Sequence, residues 1–288
     1  MPRLPITKTP KVYVGGAFIR SESARTFPLR DARGAFYANI PQCTRKDLRN
    51  AVEAAAKAGP GWARRTAYNR GQILYRLAEM LEARRAEMAE ALGVGGIGRA
   101  AAVREVSAAV DRLIYYAGWA DKYEQVLGNV NPVAAPFFNF TVTEPMGIVG
   151  IVAPDPAPLL GLISLVAPVI TSGNTTVALA SEKAPYPAIV LGEMLATSDL
   201  PGGVVNLLTG FRKELVPTFA THTHLRAVSA VASADERKAI QLGAADSVKR
   251  TRLLKAEERI DWFSADAQHL YAIRDFVEFK TTWHPIGS

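Results

Sequence analysis

Short apolar runs alternate with longer amphipathic segments through the middle of the chain, between residues 147 and 210. The short runs are rich in Val, Ile and Leu, as in strands covered on both faces, and they occupy residues 147–153, 175–180 and 204–208. The segments between them have the length and composition of helices and occupy residues 159–170 and 188–196. This alternation, joined by short links, predicts parallel strands with right-handed crossovers.

The chain is therefore expected to be an α/β protein with a Rossmann-type, doubly wound parallel sheet. A fourth strand is predicted from Ala227 to Val231. In such sheets, ligands bind in the crevice beyond the carboxyl ends of the strands. Function is therefore expected in the loops that follow the strands, at Pro154 to Pro158, Ser181 to Pro185 and Thr209 to Lys213.

Amphipathic helices are predicted ahead of the sheet. One begins after Thr44 and is expected to end at Gly59-Pro60-Gly61. A single longer helix is predicted from Tyr68 to Leu92, and another from Ala101 to Tyr123, because apolar residues recur in each at helical spacing. Gly93-Val-Gly-Gly-Ile-Gly98 follows a helix rather than a strand, so we interpret it as a link and not as a dinucleotide fingerprint.

Polar and apolar residues alternate near the carboxyl end, where residues 276–283 read Phe-Val-Glu-Phe-Lys-Thr-Thr-Trp. This period of two predicts a strand, with apolar side chains on one face at Val277, Phe279 and Trp283. A second strand of alternating character is predicted within residues 130–143, after a break. Residues 247–254 are expected to form another strand, which runs toward the tail.

Separated motifs carry a resemblance to a known family. They are Glu144-Pro-Met-Gly-Ile-Val-Gly150, Ala167-Pro-Val-Ile-Thr-Ser-Gly-Asn174 and Leu200-Pro-Gly-Gly-Val-Val-Asn-Leu-Leu-Thr-Gly210. In this order, and with Val12-Tyr-Val-Gly-Gly16 ahead of them, they closely resemble the aldehyde dehydrogenase superfamily. The resemblance covers about Lys11 to Ala244. It implies an NAD(P)-binding-like Rossmann domain formed by residues 11–129 and 145–245.

The resemblance also implies an oligomerisation arm. In the family, a strand in this region pairs with the extreme carboxyl terminus and carries subunits together, so residues 130–144 and 246–288 would form the arm and its linker. The side chains expected to mediate assembly are Phe138, Phe140, Val142, Phe276, Val277, Phe279 and Trp283. An exposed arm presents unpaired strand edges that another chain must cover, so oligomerisation is expected.

Most residues that the family uses for catalysis and cofactor binding have no counterpart here. The loop after the first strand normally reads Pro-Trp-Asn-Phe-Pro, and its Asn amide helps to stabilise an oxyanion. Pro156 holds that position and has no side-chain donor. Leu179 stands where the family has the Lys that binds the adenosine ribose, whereas Glu182 is retained as an acceptor for a ribose hydroxyl.

The loop after the fourth strand differs in the same way. The family has Phe-Thr-Gly-Ser and a second Gly, which let a pyrophosphate approach the amino terminus of a helix. Here Ala232 replaces the first Gly and Arg237 the second, which leaves Glu182 and Ser233 as vestigial cofactor-binding residues. We interpret Arg237 as a solvated helix charge, with pairing to a phosphate as the alternative, and binding of NAD or NADP stays open.

A complete family member continues into a second α/β domain that carries a nucleophilic Cys and a Glu base. This chain ends at Ser288 and is expected to lack that catalytic domain. Its only cysteine, Cys43, has no base or cation implied nearby, so we expect an unreactive thiol and no catalytic residue. In this respect the chain resembles the non-catalytic second half of two-part aldehyde dehydrogenases.

The composition argues against nucleic-acid-binding, membrane and metal-binding proteins. The chain has 288 residues, a net charge of +7 and a single Cys. Its basic residues are dispersed through helices without a groove motif, so no nucleic-acid partner is expected. No apolar run approaches a membrane span and one Cys suits a reducing compartment, so we expect a cytoplasmic protein without membrane contact. His222 and His224 lack the companions of a metal site, and no metal is expected.

Three functions are consistent with these residues. The leading hypothesis is a non-catalytic aldehyde dehydrogenase-like subunit, a pseudoenzyme that assembles with a complete aldehyde dehydrogenase and supports its oligomer. The expected assemblies are a hetero-oligomer with that enzyme, a homodimer of this chain, or both. The first alternative is an NAD(P)-binding oxidoreductase component that contributes to aldehyde oxidation, which Glu182 and Ser233 favour. The second alternative is a self-associating scaffold without a dehydrogenase partner.

Overall fold

The computed structural model describes residues 8–287, and within that range the strands form three sheets. The strands are β1 (Val12–Val14), β2 (Ala17–Ile19), β3 (Thr26–Arg30), β4 (Phe36–Pro41), β5 (Asn129–Asn131), β6 (Phe137–Pro145), β7 (Ile148–Val152), β8 (Thr175–Leu179), β9 (Val205–Leu208), β10 (Leu225–Ala232), β11 (Arg250–Lys255) and β12 (Val277–Pro285). The helices are α1 (Arg45–Ala63), α2 (Ala67–Ala83), α3 (Arg85–Val94), α4 (Arg99–Trp119), α5 (Tyr123–Leu127), α6 (Leu160–Thr171), α7 (Tyr186–Leu195), α8 (Arg212–Thr221), α9 (Ala234–Ala245) and α10 (Tyr271–Arg274). None of these helices is both long enough and apolar enough to cross a membrane.

The largest sheet has the strand order β11-β10-β7-β8-β9-β1-β2. Its first five strands are parallel, whereas β1 and β2 join antiparallel at one edge. The predicted doubly wound α/β fold is therefore confirmed. The strand order reverses between β7 and β10. β8 and β9 lie on one side of β7, and β10, which follows them in the sequence, lies on the other side. Such reversals are where these folds form a ligand crevice.

Burial explains why the central strands are continuously apolar. Every residue of β7 and β8 is buried, and so is every residue of α6, which connects them. Strands covered on both faces have no solvent-facing positions that would favour polar residues. Trp62 of α1 donates its indole N–H to the carbonyl oxygen of Ile170 at 2.9 Å, which joins α1 to α6. The two helices are thereby fixed on the core.

Two helices differ from the prediction. α1 continues through Gly59-Pro60-Gly61 to Ala63, because the proline removes one hydrogen-bond donor from the helix while the fully buried Trp62 holds its last turn in place. The helix predicted from Tyr68 to Leu92 is instead two helices, α2 and α3. The backbone leaves helical geometry between them at Arg84, where φ is −110° and ψ is 24°.

The arm is a three-stranded antiparallel sheet in the order β12-β6-β5. β12 pairs with β6 along its whole length, from Val277 opposite Pro145 to Pro285 opposite Phe137. The strands predicted within residues 130–143 and 276–283 therefore pair with each other inside one chain. β12 and β5 are the outer strands of this sheet.

The carboxyl-terminal segment departs from the prediction in two places. β11 does not run toward the tail; it lies parallel to β10 as an edge strand of the large sheet, which therefore extends beyond residue 245. Phe276 and Val277, which were expected in the assembly surface, are buried in the main hydrophobic core. They are fixed there because the Asn174 side chain donates to the Phe276 carbonyl oxygen at 2.7 Å, and Arg250 donates to that of Val277 at 2.9 Å.

Candidate functional site

A crevice opens at the reversal of strand order, beyond the carboxyl ends of β7 and β10. Its volume is about 860 Å³, within the range of small-molecule sites. Its walls come from the loop after β7, the first turns of α8 and α9, and the segment that follows β11. The crevice therefore lies at the loops in which the sequence predicts function. The segment after β11 is an additional part of its lining.

The loop after β7 holds Pro156, which stands at the position of the family's oxyanion-stabilising amide. The neighbouring Asp155 carboxylate accepts from the Ser181 hydroxyl at 2.8 Å and from the Lys183 N–H at 3.2 Å, which ties this loop to the one after β8. Ala157 adopts the left-handed conformation, with φ of 52°, which is uncommon for a residue other than glycine. Residues 154–158 therefore present proline rings and a carboxylate, and their side chains include no hydrogen-bond donor.

The amino terminus of α6, directly after this loop, is capped by a buried carboxylate. One oxygen of Glu105, from α4, accepts from the N–H groups of Leu159 and Leu160 at 2.9 and 3.1 Å. Burial raises the pKa of Glu105, while the two N–H donors act in the opposite sense. The donors at this end of α6 are therefore satisfied by the protein itself.

Glu182, the expected ribose acceptor, is bonded to the start of α8. Its carboxylate accepts from the Arg212 N–H at 2.7 Å. The Arg212 side chain reaches the reversal point and donates to the carbonyl oxygens of Ala153 at 2.9 Å and Val231 at 2.6 Å, at the ends of β7 and β10. It also pairs with the Glu236 carboxylate at 2.8 Å. One guanidinium thus bridges the two strands between which a ligand would lie.

Ser233, the other retained residue, caps α9. Its hydroxyl accepts from the Glu236 N–H at 3.3 Å, and the Glu236 carboxylate accepts from the Ser233 N–H at 2.9 Å, which is a reciprocal capping box. Burial alone would raise the pKa of Glu236, but hydrogen bonds from Arg212 and Ser233 outweigh it and hold the pKa below its ordinary value. Glu236 is therefore an ionised partner of Arg212.

Arg237 is not a solvated helix charge, because an internal carboxylate neutralises it. It donates to Glu257 and to the carbonyl oxygen of Ala232, both at 2.7 Å. The other Glu257 oxygen accepts from the Ala234 N–H at 2.7 Å. The hydrogen bond from Arg237 lowers the pKa of Glu257, so the carboxylate is ionised at neutral pH. The chain's own anion thus lies where the helix dipole and free N–H groups would attract a phosphate.

These residues do not fit the pyrophosphate of a dinucleotide, which needs free N–H donors and close approach to the backbone. The N–H groups of Ser233 and Ala234 are both bonded to carboxylates of the chain. The Cβ of the fully buried Ala232 stands at the position of a family glycine. Leu179, at the position of the ribose-binding Lys, is buried and apolar. The crevice has space for a ligand, but the N–H groups of Ser233 and Ala234 at the amino terminus of α9 are engaged.

Cys43 is free and fully buried at the start of α1. Its N–H donates to the carbonyl oxygen of Thr209 at 2.9 Å, which joins the loop before α1 to the end of β9. Burial raises the pKa of the thiol to about 12, so it stays protonated at neutral pH. A protonated and shielded thiol is a poor nucleophile.

His222 and His224 lie at the surface after α8, with ring centroids 5.9 Å apart. The Nδ1 atom of His222 accepts from the His224 N–H at 3.3 Å. In the part of the chain that the structure describes, no group of three or more His, Cys, Asp or Glu residues is placed to hold a metal ion.

Four residues that shape the crevice or its helix ends were not identified from the sequence: Glu105, Arg212, Glu236 and Glu257. A cation in the first turn of a helix is unfavourable without an acidic partner, so the position of Arg212 at the start of α8 was a usable signal. Glu105 gives no local signal, since it caps a helix that begins 55 positions further along the chain. Glu257 contacts α9 only because β11 joins the large sheet beside β10.

The parallel sheet, its reversal of order and the crevice define an α/β domain of the dinucleotide-binding type with an appended arm sheet. Residues 18–255 match the aldehyde dehydrogenase family, and the chain belongs to that family. The resemblance drawn from the motifs is thereby confirmed.

Relatives of known sequence and structure agree with this assignment. Retinal dehydrogenase 2 of Gallus gallus is 34% identical over 273 residues, which cover 92% of this chain and 52% of that protein. The structure of an aldehyde dehydrogenase from Bacillus cereus in complex with NAD+ superposes with a TM-score of 0.81 at 26% identity, over 85% of this chain and 50% of that one. HpcC from Thermus thermophilus has the same TM-score of 0.81 at 29% identity, over 85% of this chain and 48% of that one. The chain spans about half the length of the relatives it matches.

Proposed function

We propose that this chain is a non-catalytic aldehyde dehydrogenase-like subunit, a pseudoenzyme that assembles with a complete aldehyde dehydrogenase and supports its oligomer. The relatives are described as dehydrogenases, and one solved relative is described in complex with NAD+. In this chain, the engaged donors of the crevice and the buried thiol of Cys43 argue against a corresponding catalytic role.

The arm sheet is the observation that carries the proposal. One face presents Phe138 and Val142, each 44% exposed, and the other presents Phe279 at 46% and Trp283 at 58%. Apolar side chains on both faces of a three-stranded sheet are unfavourable in water, and its outer strands offer edges for pairing. Another chain that covers these faces would remove the apolar surface from water.

A complete family member is the partner that the fold favours. The backbone of this chain follows that of an aldehyde dehydrogenase from Bacillus cereus over 85% of its length, which supports a partner of the same fold. In a hetero-oligomer with a complete family member, this chain would contribute an arm and a folded domain without a catalytic site of its own. We also propose that the protein works in the cytoplasm, because its single cysteine is unpaired.

Affinity purification of the tagged chain from native extract, followed by native mass spectrometry, tests the assembly. The proposal predicts a stoichiometric partner that carries complete aldehyde dehydrogenase motifs. The double substitution Phe279→Glu with Trp283→Glu should abolish capture of that partner, because it charges one exposed face of the arm. The double substitution Tyr68→Glu with Tyr75→Glu, at exposed aromatic side chains of α2 outside the arm, is the matched control and should retain the partner. Recovery of a homo-oligomer alone would favour a self-associating scaffold and contradict the proposal.

A further inference from the structure

The crevice is large enough for a ligand, but the residues around it do not suit a dinucleotide. Its volume of about 860 Å³ would admit a drug-sized ligand, so bulk alone does not keep one out. We infer that this chain excludes dinucleotides chemically, because two internal ion pairs, Arg212 with Glu236 and Arg237 with Glu257, occupy the groups that a pyrophosphate would use. This exclusion is a property of the crevice alone and is independent of the assembly proposed above.

The ion pair of Arg212 with Glu236, here called the inner pair, is a fixed part of the fold. The side chains of Arg212 and Glu236 are only 13% and 24% exposed. Arg212 also satisfies the carbonyl oxygens of Ala153 and Val231, which would be left without that donor if the side chain turned toward a ligand. The inner pair therefore holds the ends of β7 and β10 together and commits four of the five N–H donors of the Arg212 guanidinium.

The ion pair of Arg237 with Glu257, here called the outer pair, determines whether an anion can bind. The Glu257 side chain is 51% exposed, and its carboxylate is bonded to both the Arg237 guanidinium and the Ala234 N–H. It engages one N–H group at the amino terminus of α9 and the guanidinium of Arg237, and it places a negative charge beside them. A phosphate that approaches this helix end is therefore repelled by Glu257 and must displace it from Arg237 and from the Ala234 N–H. Glu257 acts as an internal substitute for the ligand.

Replacement of Glu257 by alanine separates its effect from that of the inner pair. Glu257→Ala frees the Arg237 guanidinium and the Ala234 N–H and leaves the Arg212–Glu236 pair intact. Glu258→Ala is the matched control, since Glu258 lines the same crevice but pairs with the exposed side chain of Lys255. Both variants remove one negative charge from the same segment, so any difference between them comes from the contacts with α9.

Isothermal titration of the full chain with inorganic pyrophosphate is the test. Wild type and Glu258→Ala should show no saturable binding at millimolar pyrophosphate, and Glu257→Ala should bind at least about tenfold more tightly than either. Circular dichroism checks that each variant is folded. If Glu257→Ala does not fold, Glu257→Gln carries the test and should show a smaller gain, because its amide oxygen can still accept from the Ala234 N–H while the charge is gone.

Two results would overturn the inference. Saturable binding of pyrophosphate by the wild-type chain would show that the donors of α9 are accessible in solution. Equal affinities of Glu257→Ala and Glu258→Ala would show that contacts of Glu257 with α9 do not exclude the anion. Neither result bears on the partner recovered by affinity purification, so failure of this inference and failure of the assembly proposal can be told apart.

Discussion

Arg112 of α4 donates from Nη2 to the carbonyl oxygen of Trp262 at 2.8 Å, across 150 positions of the chain. The same buried guanidinium donates to the Ala267 carbonyl oxygen at 2.9 Å, to the Gln268 side chain at 2.8 Å and to the Ser164 hydroxyl. All four partners are neutral. One arginine thus fastens the segment after β11, which forms a wall of the crevice, to α4 and α6.

Arg112→Met is expected to lower the free energy of unfolding by about 3 kcal/mol, because it removes the donor from several buried acceptors. Urea denaturation measures this change. Limited proteolysis should then cut between Trp262 and Gln268 sooner than in the wild type. Arg104→Met is the control: Arg104 is exposed on the same helix over the Phe263 ring, and its loss should cost less than about 1 kcal/mol. Equal stability of wild type and Arg112→Met would contradict this account.

Val248 lies just after the carboxyl end of α9 in a strained conformation, with φ of 49° and 93% of its surface exposed. The N–H groups of Lys249 and Val248 donate to the carbonyl oxygens of Ala244 and Ala245 at 3.0 and 3.2 Å, the pattern of a Schellman cap in which glycine is usual. Val248→Gly should therefore raise the free energy of unfolding by about 1 kcal/mol in urea denaturation.

Leu242→Gly is the matched control for this substitution, because Leu242 is also exposed but lies inside the helix. It should lower the free energy of unfolding by about 1 kcal/mol. A glycine that stabilises at one site and destabilises at the other would locate the strain at residue 248. No gain from Val248→Gly would contradict the assignment of strain.

Cys43 should not react with iodoacetamide in the folded protein at about pH 8. Burial raises the pKa of its thiol to about 12 and shields the sulfur from solvent. In urea the thiol should be alkylated fully, and since Cys43 is the only cysteine, intact-protein mass spectrometry reports on it alone. Rapid alkylation of the native chain would show an accessible thiolate and reopen a nucleophilic role.

Lys249 makes the stability depend on pH in the alkaline range. Its ammonium donates to the carbonyl oxygens of Phe219 and Ala220 at the end of α8, and burial lowers its pKa from 10.5 to about 8. Between these two values the unfolded chain binds more protons than the folded chain, so this group's contribution to the free energy of unfolding rises with pH. The comparison of wild type with Lys249→Met by urea denaturation isolates this contribution.

From about pH 7 to about pH 10.5, the free energy of unfolding of the wild type should gain about 1–2 kcal/mol relative to Lys249→Met. Below about pH 7, Lys249 is protonated in both the folded and the unfolded state, so the difference between the two proteins should be constant. Parallel curves over the whole range would show that the folded and unfolded pKa values are equal.

The large sheet could be predicted from the sequence because its strands are buried on both faces and are therefore continuously apolar. The arm could be predicted because its strands keep a period of two. The end of α1 could not, since burial of Trp62 outweighs the local signal of Pro60. Residues 247–254 indicated a strand, but a strand pattern does not specify its neighbour in the sheet.

The candidate site was predicted less well than the fold. The family motifs indicated which loops would line the crevice. Pro156, Leu179 and Ala232 indicated that the family's contacts with an oxyanion and a cofactor are missing. The residues that satisfy the helix ends come from distant parts of the chain, as Glu105 and Glu257 do. Such caps are set by tertiary packing, so short-range sequence patterns do not reveal them.

Calorimetric titration of the folded wild-type chain with NAD+ and NADP+ tests the central claim most directly. The engaged donors of α9, and Leu179 in place of a ribose-binding Lys, predict no saturable binding of either cofactor at millimolar concentration. Saturable binding of one cofactor per chain with a micromolar dissociation constant would contradict the account and favour an oxidoreductase component instead.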